Sequence, residues 1–381
     1  MTKPLRRVSL HYALTPPAPD GVLSRRIRNP LFTLLAAVQE SGSIAAAARA
    51  LGVSYRHAWG ELKRWESDLG AALLHWEKGQ AARLTDCALK LLWAERQAQA
   101  RLAPQIEQLH ADLERSFAIA FDPNAHVLAL HASHDLALPV LREFAASRAT
   151  RGAPALHLDI HFMGSVDAIA ALNQGRCRLA GFHVPSHAPR GSHAERSYRP
   201  LLKTGVHKLI GFAERTQGLI VPPGNPLGLR SLADVTRQGA RFASRPLGSG
   251  TRLVLLDLLA AEGLDATLLL ARSTDEPSHA AVAQAVAAGL AEAGLGIPGA
   301  ARELGLDFVP LVTERYFLVC LKHDLDQPPL VALRQRLASA GWQQALAALP
   351  GYSPSASGQV LSLHRTLPWW NLKSKAPQIQ G

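Results

Sequence analysis

The stretch 245–251, RPLGSGT, sets Gly248, Ser249, Gly250 and Thr251 directly before an apolar helical pattern, LVLLDLLAAEG. Free backbone N–H groups at a helix start, together with the helix dipole, favour negative charge, so glycine and hydroxyl residues there form an anion cradle. The loop is not a nucleotide-binding P-loop, because Arg252 and Leu253 stand where Lys and Ser/Thr are required. Taken alone it is also what ordinary helix capping produces. Two further junctions repeat it. Ser133, in HASHD, follows the apolar run VLALH and precedes LALPVLREFAAS, and Ser165 opens a helical pattern after the alternating ALHLDIHF. In STDEPSHAAVAQ, Ser278 or His279 can cap a fourth helix. Ligands of open α/β sheets bind where such helix starts converge, beyond the carboxyl ends of the strands. The serines together therefore point to a small-anion site.

Other chemistries find less support. Ser133, His134 and Asp135 are consecutive, which does not make a catalytic relay, and no G-x-S-x-G elbow accompanies them. No enzyme and no catalytic residue is expected. Neither the 16 histidines nor Cys87, Cys177 and Cys320 are read as having metal-ligand spacing, so no metal site is expected. The three separated cysteines also exclude a disulfide framework and suit a reducing compartment.

The elements that must carry the serines alternate. VLALH, ALHLDIHF and CRLAGFHVP read as strands, with helical patterns between them. That order implies a largely parallel sheet with right-handed crossovers. At 381 residues, 48% hydrophobic and 19% charged, the chain is long enough for two or three globular domains. Its net charge of +11 favours anionic partners, nucleic acid first, although an arginine-rich compositional bias gives the same figure. The opening MTKPLRRVSLHYALTPPAPDG lacks the apolar stretch of a signal peptide, and no apolar run of about 20 residues suggests a membrane span. A cytoplasmic protein without membrane contact is expected.

The first hundred residues have a different texture. After an irregular arm at 1–28, Leu31, Leu34, Leu35 and Val38 line one helix face, which Gly42 ends. Ser43 can cap the Ala-rich second helix, and Ser54 can cap a third, YRHAWGELKRWESDLG, with Ala58, Leu62, Trp65 and Leu69 on one face. Trp59 and Trp65 are expected in the core. Two short helices, a tight turn and a longer helix describe a helix-turn-helix at 29–85, and LLHWEKGQAARLT adds a hairpin wing tipped by Lys78 and carrying Arg83. Thr85 or Asp86 then caps a long helix to about Ala103, where Pro104 begins another to about Phe117. Leu89, Leu92, Trp93, Leu102, Ile106, Leu109 and Leu113 suit a helix pair at 86–120 that dimerises, or residues that close the small domain's core.

SGSIAAAARALGVSYRHAWGELKRWE resembles the winged helix-turn-helix of ModE-type molybdate-responsive regulators, cousins of the LysR-type DNA-binding domains. The resemblance implies that Ser54, Tyr55, Arg56 and His57 face the major groove, that Arg56 reads a guanine edge, and that Lys63, Arg64, Lys78 and Arg83 neutralise phosphates. The helix pair at 86–120 and the symmetry of operators point to a homodimer, with a higher oligomer left open, on an inverted-repeat operator in double-stranded DNA.

Residues 125–370, with ASHDLAL, GSVDAIAAL, LAGFHVP, GLIVPPGNPLGLRSLADV, HAAVAQAVAAGLAEAGLGI and LPGYSPSASGQV in order, resemble a PBP-like, type 2 periplasmic-binding-protein domain. The implied fold is two α/β lobes, one at 125–205 and 315–370, the other at 206–305, joined by crossings near 205–222 and 306–319 and closing on a ligand. The tail 371–381 is expected to be flexible. Related domains hold molybdate or tungstate with hydroxyls and backbone N–H groups and without a counter-cation, which Ser133, Ser165, Ser249 and Thr251 match. His134, Arg252, His279 and Tyr316 are second contacts, Arg252 alternatively a surface charge. ModE-type regulators carry small β-barrels where this chain has lobes, so an organic acid or a molybdenum-cofactor-related ligand stays open beside the oxyanion. So does a ligand-free architectural DNA-binding protein.

Overall fold

Helix boundaries in the N-terminal part follow the capping residues that the sequence supplies. The computed structural model describes residues 29–75, 81–121, 126–146 and 156–370. The Asn29 side chain accepts from the Leu31 N–H, and helix α1 runs Pro30–Ser41. Ser43 caps α2 (Ile44–Ala50) by accepting from the Ala46 N–H, and Ser54 caps α3 (Tyr55–Leu69) through the His57 N–H at 3.1 Å. Leu35, Val38, Ala47, Ala58, Leu62 and Leu73 form the core between them. Strands β1 (Leu74–His75) and β2 (Arg83–Leu84) pair antiparallel as the stem of the wing; Lys78, like the 1–28 arm and the 371–381 tail, lies outside the described residues. The two tryptophans depart from expectation. Trp59 and Trp65 are half-buried at the rim of this core. Both serve as platforms for cations, Lys63 over Trp59 at 4.9 Å and Arg64 over Trp65 at 5.6 Å.

Helix α4 spans Asp86–Phe121 without the break expected at Pro104. A proline removes one hydrogen bond from a helix interior. Here packing holds the helix on both sides of it, through Ala88 and Leu92 in the helix-turn-helix core and through Gln108, which accepts from the Phe162 N–H at 3.1 Å. Thr85 is the capping residue, accepting from the Ala88 N–H at 3.2 Å. The leucines divide in role. Leu89 and Leu92 pack with the small domain's core, whereas Leu102 and Leu109 are exposed, Leu109 at 51%. The chain splits into compact units at 1–103 and 104–381.

The second unit is a two-lobed α/β domain. Lobe one begins β3 (His126–Ala132), α5 (Ala137–Ala146), β4 (Leu156–Phe162), α6 (Ser165–Asn173), β5 (Leu179–Pro185) and α7 (His193–Tyr198). The long strand β6 (His207–Val221) crosses to lobe two, which holds α8 (Leu232–Gln238), β7 (Phe242–Ser244), α9 (Gly250–Ala261), α10 (Ala266–Leu270), β8 (Ser273–Asp275), α11 (His279–Ala287), β9 (Ala293–Gly296) and α12 (Pro298–Glu303). Strand β10 (Asp307–Leu321) returns to lobe one, followed by α13 (Pro328–Ala338), α14 (Ala340–Ala347), β11 (Tyr352–Ser353), β12 (Val360–Leu361) and α15 (Leu363–Thr366). The sheet order is β4-β3-β5-β10-β6-β9-β7-β8, with β11 and β12 beside β6. The outer strands of each lobe are parallel, and β6 and β10 pair antiparallel between them over their whole length. Strands β6 and β10 are the two crossings between the lobes. Trp342, Leu333 and Leu337 pack α13 and α14 onto lobe one, and Trp369 is buried against its other face with Trp370 beside it. No single described helix is long and apolar enough to cross a membrane.

Candidate functional site

The carboxyl ends of β3, β4, β7 and β8 carry the serines, and the helices that follow begin there. Ser165 is the first residue of α6 and fully buried; its hydroxyl faces the Tyr198 phenol without a hydrogen bond. From the other lobe, the start of α9 approaches it. A Cβ on Gly250 would lie 3.2 Å from the Ser165 Oγ and 3.5 Å from the His183 Nδ1, and one on Gly164 would lie 2.8 Å from the Gly248 carbonyl oxygen. The lobes therefore meet glycine to glycine beside an unpartnered hydroxyl.

Ser249 plays a different part from Ser165. Its hydroxyl donates to the Pro246 carbonyl at 2.8 Å and accepts from the Arg252 N–H at 3.2 Å, so its one proton serves the cap. First-turn N–H groups of α9, at Gly250 and Thr251, are then the donors this loop offers. The Thr251 hydroxyl accepts from Gln217 at 3.3 Å. Ser278 caps α11 through the Ala281 N–H, which leaves His279 as its first residue, buried, with Nδ1 unpartnered. Ser133 is buried at the end of β3, and His134 beside it places Nε2 3.3 Å from Glu107 on α4. Tyr316, on β10, is buried with its hydroxyl unpartnered and its ring 3.8 Å from that of His183. Arg252 is turned to its own lobe, donating to Ser244 at 2.6 Å and pairing with Asp275 at 3.3 Å.

Residues that the sequence did not single out as ligand contacts complete the arrangement. Arg215 on β6 is clamped between Asp135 and Glu314, and Asp135 also accepts from the Tyr352 hydroxyl at 2.8 Å. Gln217 donates to Glu314 at 2.7 Å and onward to Thr251. A polar chain thus runs from lobe one through both crossing strands to the start of α9. Burial would raise the Asp135 carboxyl, but the Arg215 guanidinium and His183 outweigh it and hold it well below the usual carboxylate range. His183 is pushed down by burial and by Arg215. Arg245, at the end of β7, is 4% exposed with an unpartnered Nε; burial and Arg215 push it down to about 10. His279 is pushed far down by burial and then by Arg245 and Arg215. The signal for Arg215, Gln217 and Glu314 was present as charged and amide residues within otherwise apolar strands, ERTQGLIV and VTERYFLV.

Two histidine pairs at i, i+4 spacing, His157 with His161 and His183 with His187, correct the reading that no such spacing exists. Ligand atoms of Asp112, Asp159 and His161 lie within 4.8 Å of one another. Arg115 already neutralises Asp159 at 3.1 Å, and Gln108 bonds the His161 Nδ1 at 2.6 Å, so the cluster is an ion-pair network fastening α4 to β4. A separate groove of about 460 Å³, between residues 185–196 and α9, contains none of the expected site residues, and its carboxylate, Asp257, is bonded to His193.

On the N-terminal unit, Tyr55, Arg56 and His57 are exposed at the start of α3, whose cap is Ser54. Lys63 pairs with Glu66 at 2.8 Å and Arg64 with Glu61 at 2.5 Å, so both phosphate candidates carry intrahelical partners. Arg83 is exposed on the wing stem, while Ser43 acts as a cap.

Residues 146–338, just over half of the chain, match the PBP superfamily domain. The chain belongs to the PBP superfamily. Ahead of the PBP domain, residues 31–89 match the bacterial regulatory helix-turn-helix of the lysR family, so the N-terminal unit is a LysR-type helix-turn-helix. Uncharacterized protein YvgK of Bacillus subtilis (strain 168) is 30% identical over 200 residues, 52% of this chain and 64% of YvgK, so the chain spans under two thirds of that relative. An uncharacterized protein in the ferredoxin 2Fe-2S gene 5′ region of Clostridium pasteurianum is 35% identical over 86 residues, 22% of this chain and 76% of that protein. Similar solved structures include a Corynebacterium glutamicum OxyR mutant with H2O2 bound, at 17% identity and TM-score 0.42, covering 83% of this chain and 93% of that one. CbnR, a LysR family transcriptional regulator, gives 18% and 0.38, covering 80% and 98%. The strand order and the two domain matches carry the assignment.

Proposed function

We propose that the protein is a one-component transcriptional regulator whose PBP domain senses a small oxyanion, with molybdate or tungstate the preferred ligand. A homodimer would place two α3 helices on an inverted-repeat operator, as symmetric sites require. The observation that carries the sensing is Ser165. Its fully buried, unpartnered hydroxyl faces the start of α9 where Gly164 and Gly248 bring the lobes into contact. A buried hydroxyl without a partner is costly, and an oxyanion accepting from it and from first-turn N–H groups removes that cost. The contact of the lobes favours a compact ligand over an extended organic one. The same unpartnered groups weigh against a purely architectural role.

Calorimetric titration of the full chain with molybdate, tungstate, sulfate and a panel of organic acids tests the reading. Binding of molybdate and tungstate with sulfate rejected supports it. A response to an organic acid alone keeps the regulator and replaces the ligand, and no response to any of them overturns the sensing role.

A further inference from the structure

Three guanidinium groups lie near the interlobe site, and that of Arg245 makes no ion pair with a described residue. Arg215 lies between Asp135 and Glu314, and Arg252 is paired with Asp275. Arg245, which is 4% exposed, makes no ion pair or side-chain hydrogen bond with any described residue, and its Nε is an unpartnered buried donor. Asp135, the carboxylate that attracts it, is already occupied by Arg215, by the Tyr352 hydroxyl and by the Ala137 N–H at 2.8 Å. Asp135 and Glu314 together carry one negative charge more than Arg215, which Arg245 balances in sum. What Arg245 lacks is therefore a hydrogen-bonding partner, and a buried donor left without one is costly.

Position points to the missing partner. Arg245 leaves the end of β7 at the base of the loop that starts α9, and it is the cation that acts most strongly on His279 at the start of α11. Helices α6, α9 and α11, of 9, 12 and 9 residues, all begin at this site. Each N-terminus contributes roughly half a positive charge. The hydroxyls of Ser165 and Tyr316 are unpartnered there as well. A guanidinium with an unpartnered donor, added to three helix starts, suits a doubly charged anion better than a singly charged one.

We propose that Arg245 is the charge-reading residue of this site, pairing through its guanidinium fork with a compact tetrahedral oxyanion and selecting the dianion over the monoanion. The proposal rests on the oxyanion reading above and adds to it a cationic contact that hydroxyl and N–H recognition alone would lack. Molybdate and perrhenate, both tetrahedral and similar in size, differ by one unit of charge and serve as probes.

The full chain, Arg245→Gln and Arg245→Lys are titrated calorimetrically with both anions. The unaltered chain is expected to prefer molybdate. Arg245→Gln should weaken molybdate by about 10- to 100-fold, the range of a charge-assisted contact, and perrhenate by clearly less. Arg245→Lys should restore part of the preference while lacking the fork. Equal losses for both anions, or none, overturn the role of Arg245 while leaving the oxyanion site standing. Binding of neither anion by the unaltered chain overturns both readings. If Arg245→Gln fails to fold, Arg245→Lys alone decides: a molybdate isotherm identical to that of the unaltered chain overturns the fork.

Discussion

The carboxylate of Glu107 on α4 lies 3.3 Å from the Nε2 of His134, the residue that follows Ser133 at the end of β3. Helix α4 continues from the helix-turn-helix, so this pair joins the proposed anion site to the element that leads to the helix-turn-helix unit. An anion near His134 competes with Glu107 for the same imidazole. Coupling between two such sites typically amounts to about 1–3 kcal/mol, or roughly 5- to 150-fold in affinity. In Glu107→Gln the ratio of operator affinities measured with and without molybdate should collapse toward one. A ratio equal to that of the unaltered chain would show that the signal travels by another route.

Gly164 has φ −60°, a value any residue adopts, so its backbone does not require glycine. What requires it is space, since a Cβ would lie 2.8 Å from the Gly248 carbonyl oxygen. Gly164→Ala should therefore fold normally yet resist lobe closure, with overpacking of about 1–3 kcal/mol appearing as weaker anion binding. Gly248 is the opposite case, with φ +85° and nothing within 4 Å of an added Cβ. Its alanine variant should lose about 1–2 kcal/mol of stability through backbone strain alone. Paired calorimetry and thermal unfolding separate the two effects. Equal behaviour of the two variants would dismiss the contact as a closing point.

Arg56 is exposed at the start of α3 and forms no ion pair with another described residue, whereas Lys63 and Arg64 are tied to Glu66 and Glu61. Arg56→Ala should cost about 1–3 kcal/mol of operator affinity and relax base preference at one position. Lys63→Ala should lower affinity for all DNA evenly and flatten its salt dependence. Competition assays against single-base operator variants at several salt concentrations tell the two apart, and an unchanged base preference in Arg56→Ala would remove it from readout.

The periodic and punctuated parts of the fold were legible in sequence. Ser43, Ser54 and Ser278 cap the helices they precede. What escaped depended on contacts distant in the chain. Arg215 and Glu314 are 99 residues apart and form one buried cluster. Nothing local distinguishes Arg245, whose side chain bonds no described residue, from Arg252, whose side chain bonds several. Pro104 misled because local propensity yielded to packing on either side of it.

Ser249 and Ser165 look alike in sequence, and the structure gives them opposite duties. The Ser249 hydroxyl holds both ends of its cap, so Ser249→Ala should cost about 1 kcal/mol of stability. The Ser165 hydroxyl makes no hydrogen bond, so Ser165→Ala should leave the thermal midpoint of the unliganded chain near its original value and weaken molybdate binding. Midpoints recorded with and without molybdate suffice. A large loss of stability in unliganded Ser165→Ala would mean that the hydroxyl supports the fold instead.

His279 and His183 both have folded-state pKa values below the ordinary 6.5, through burial first and through the cations Arg245 and Arg215 for the one and Arg215 for the other. Below pH 6.5 the unfolded chain therefore binds protons that the folded chain refuses, and stability falls as the solution is acidified through that window. Asp135 and Glu314 pull His183 the other way without reversing the direction. Burial is the largest cause of the low His279 pKa, and a dianion held beside Arg245 would offset the cations that add to it and so raise that pKa from its lowered position. By linkage, molybdate should then bind more tightly as pH falls from 7.5 toward the histidine range, with proton uptake detectable as a buffer-dependent binding enthalpy. In His279→Gln that uptake should disappear. Binding whose enthalpy is the same in buffers of different ionisation heat would place the anion away from His279.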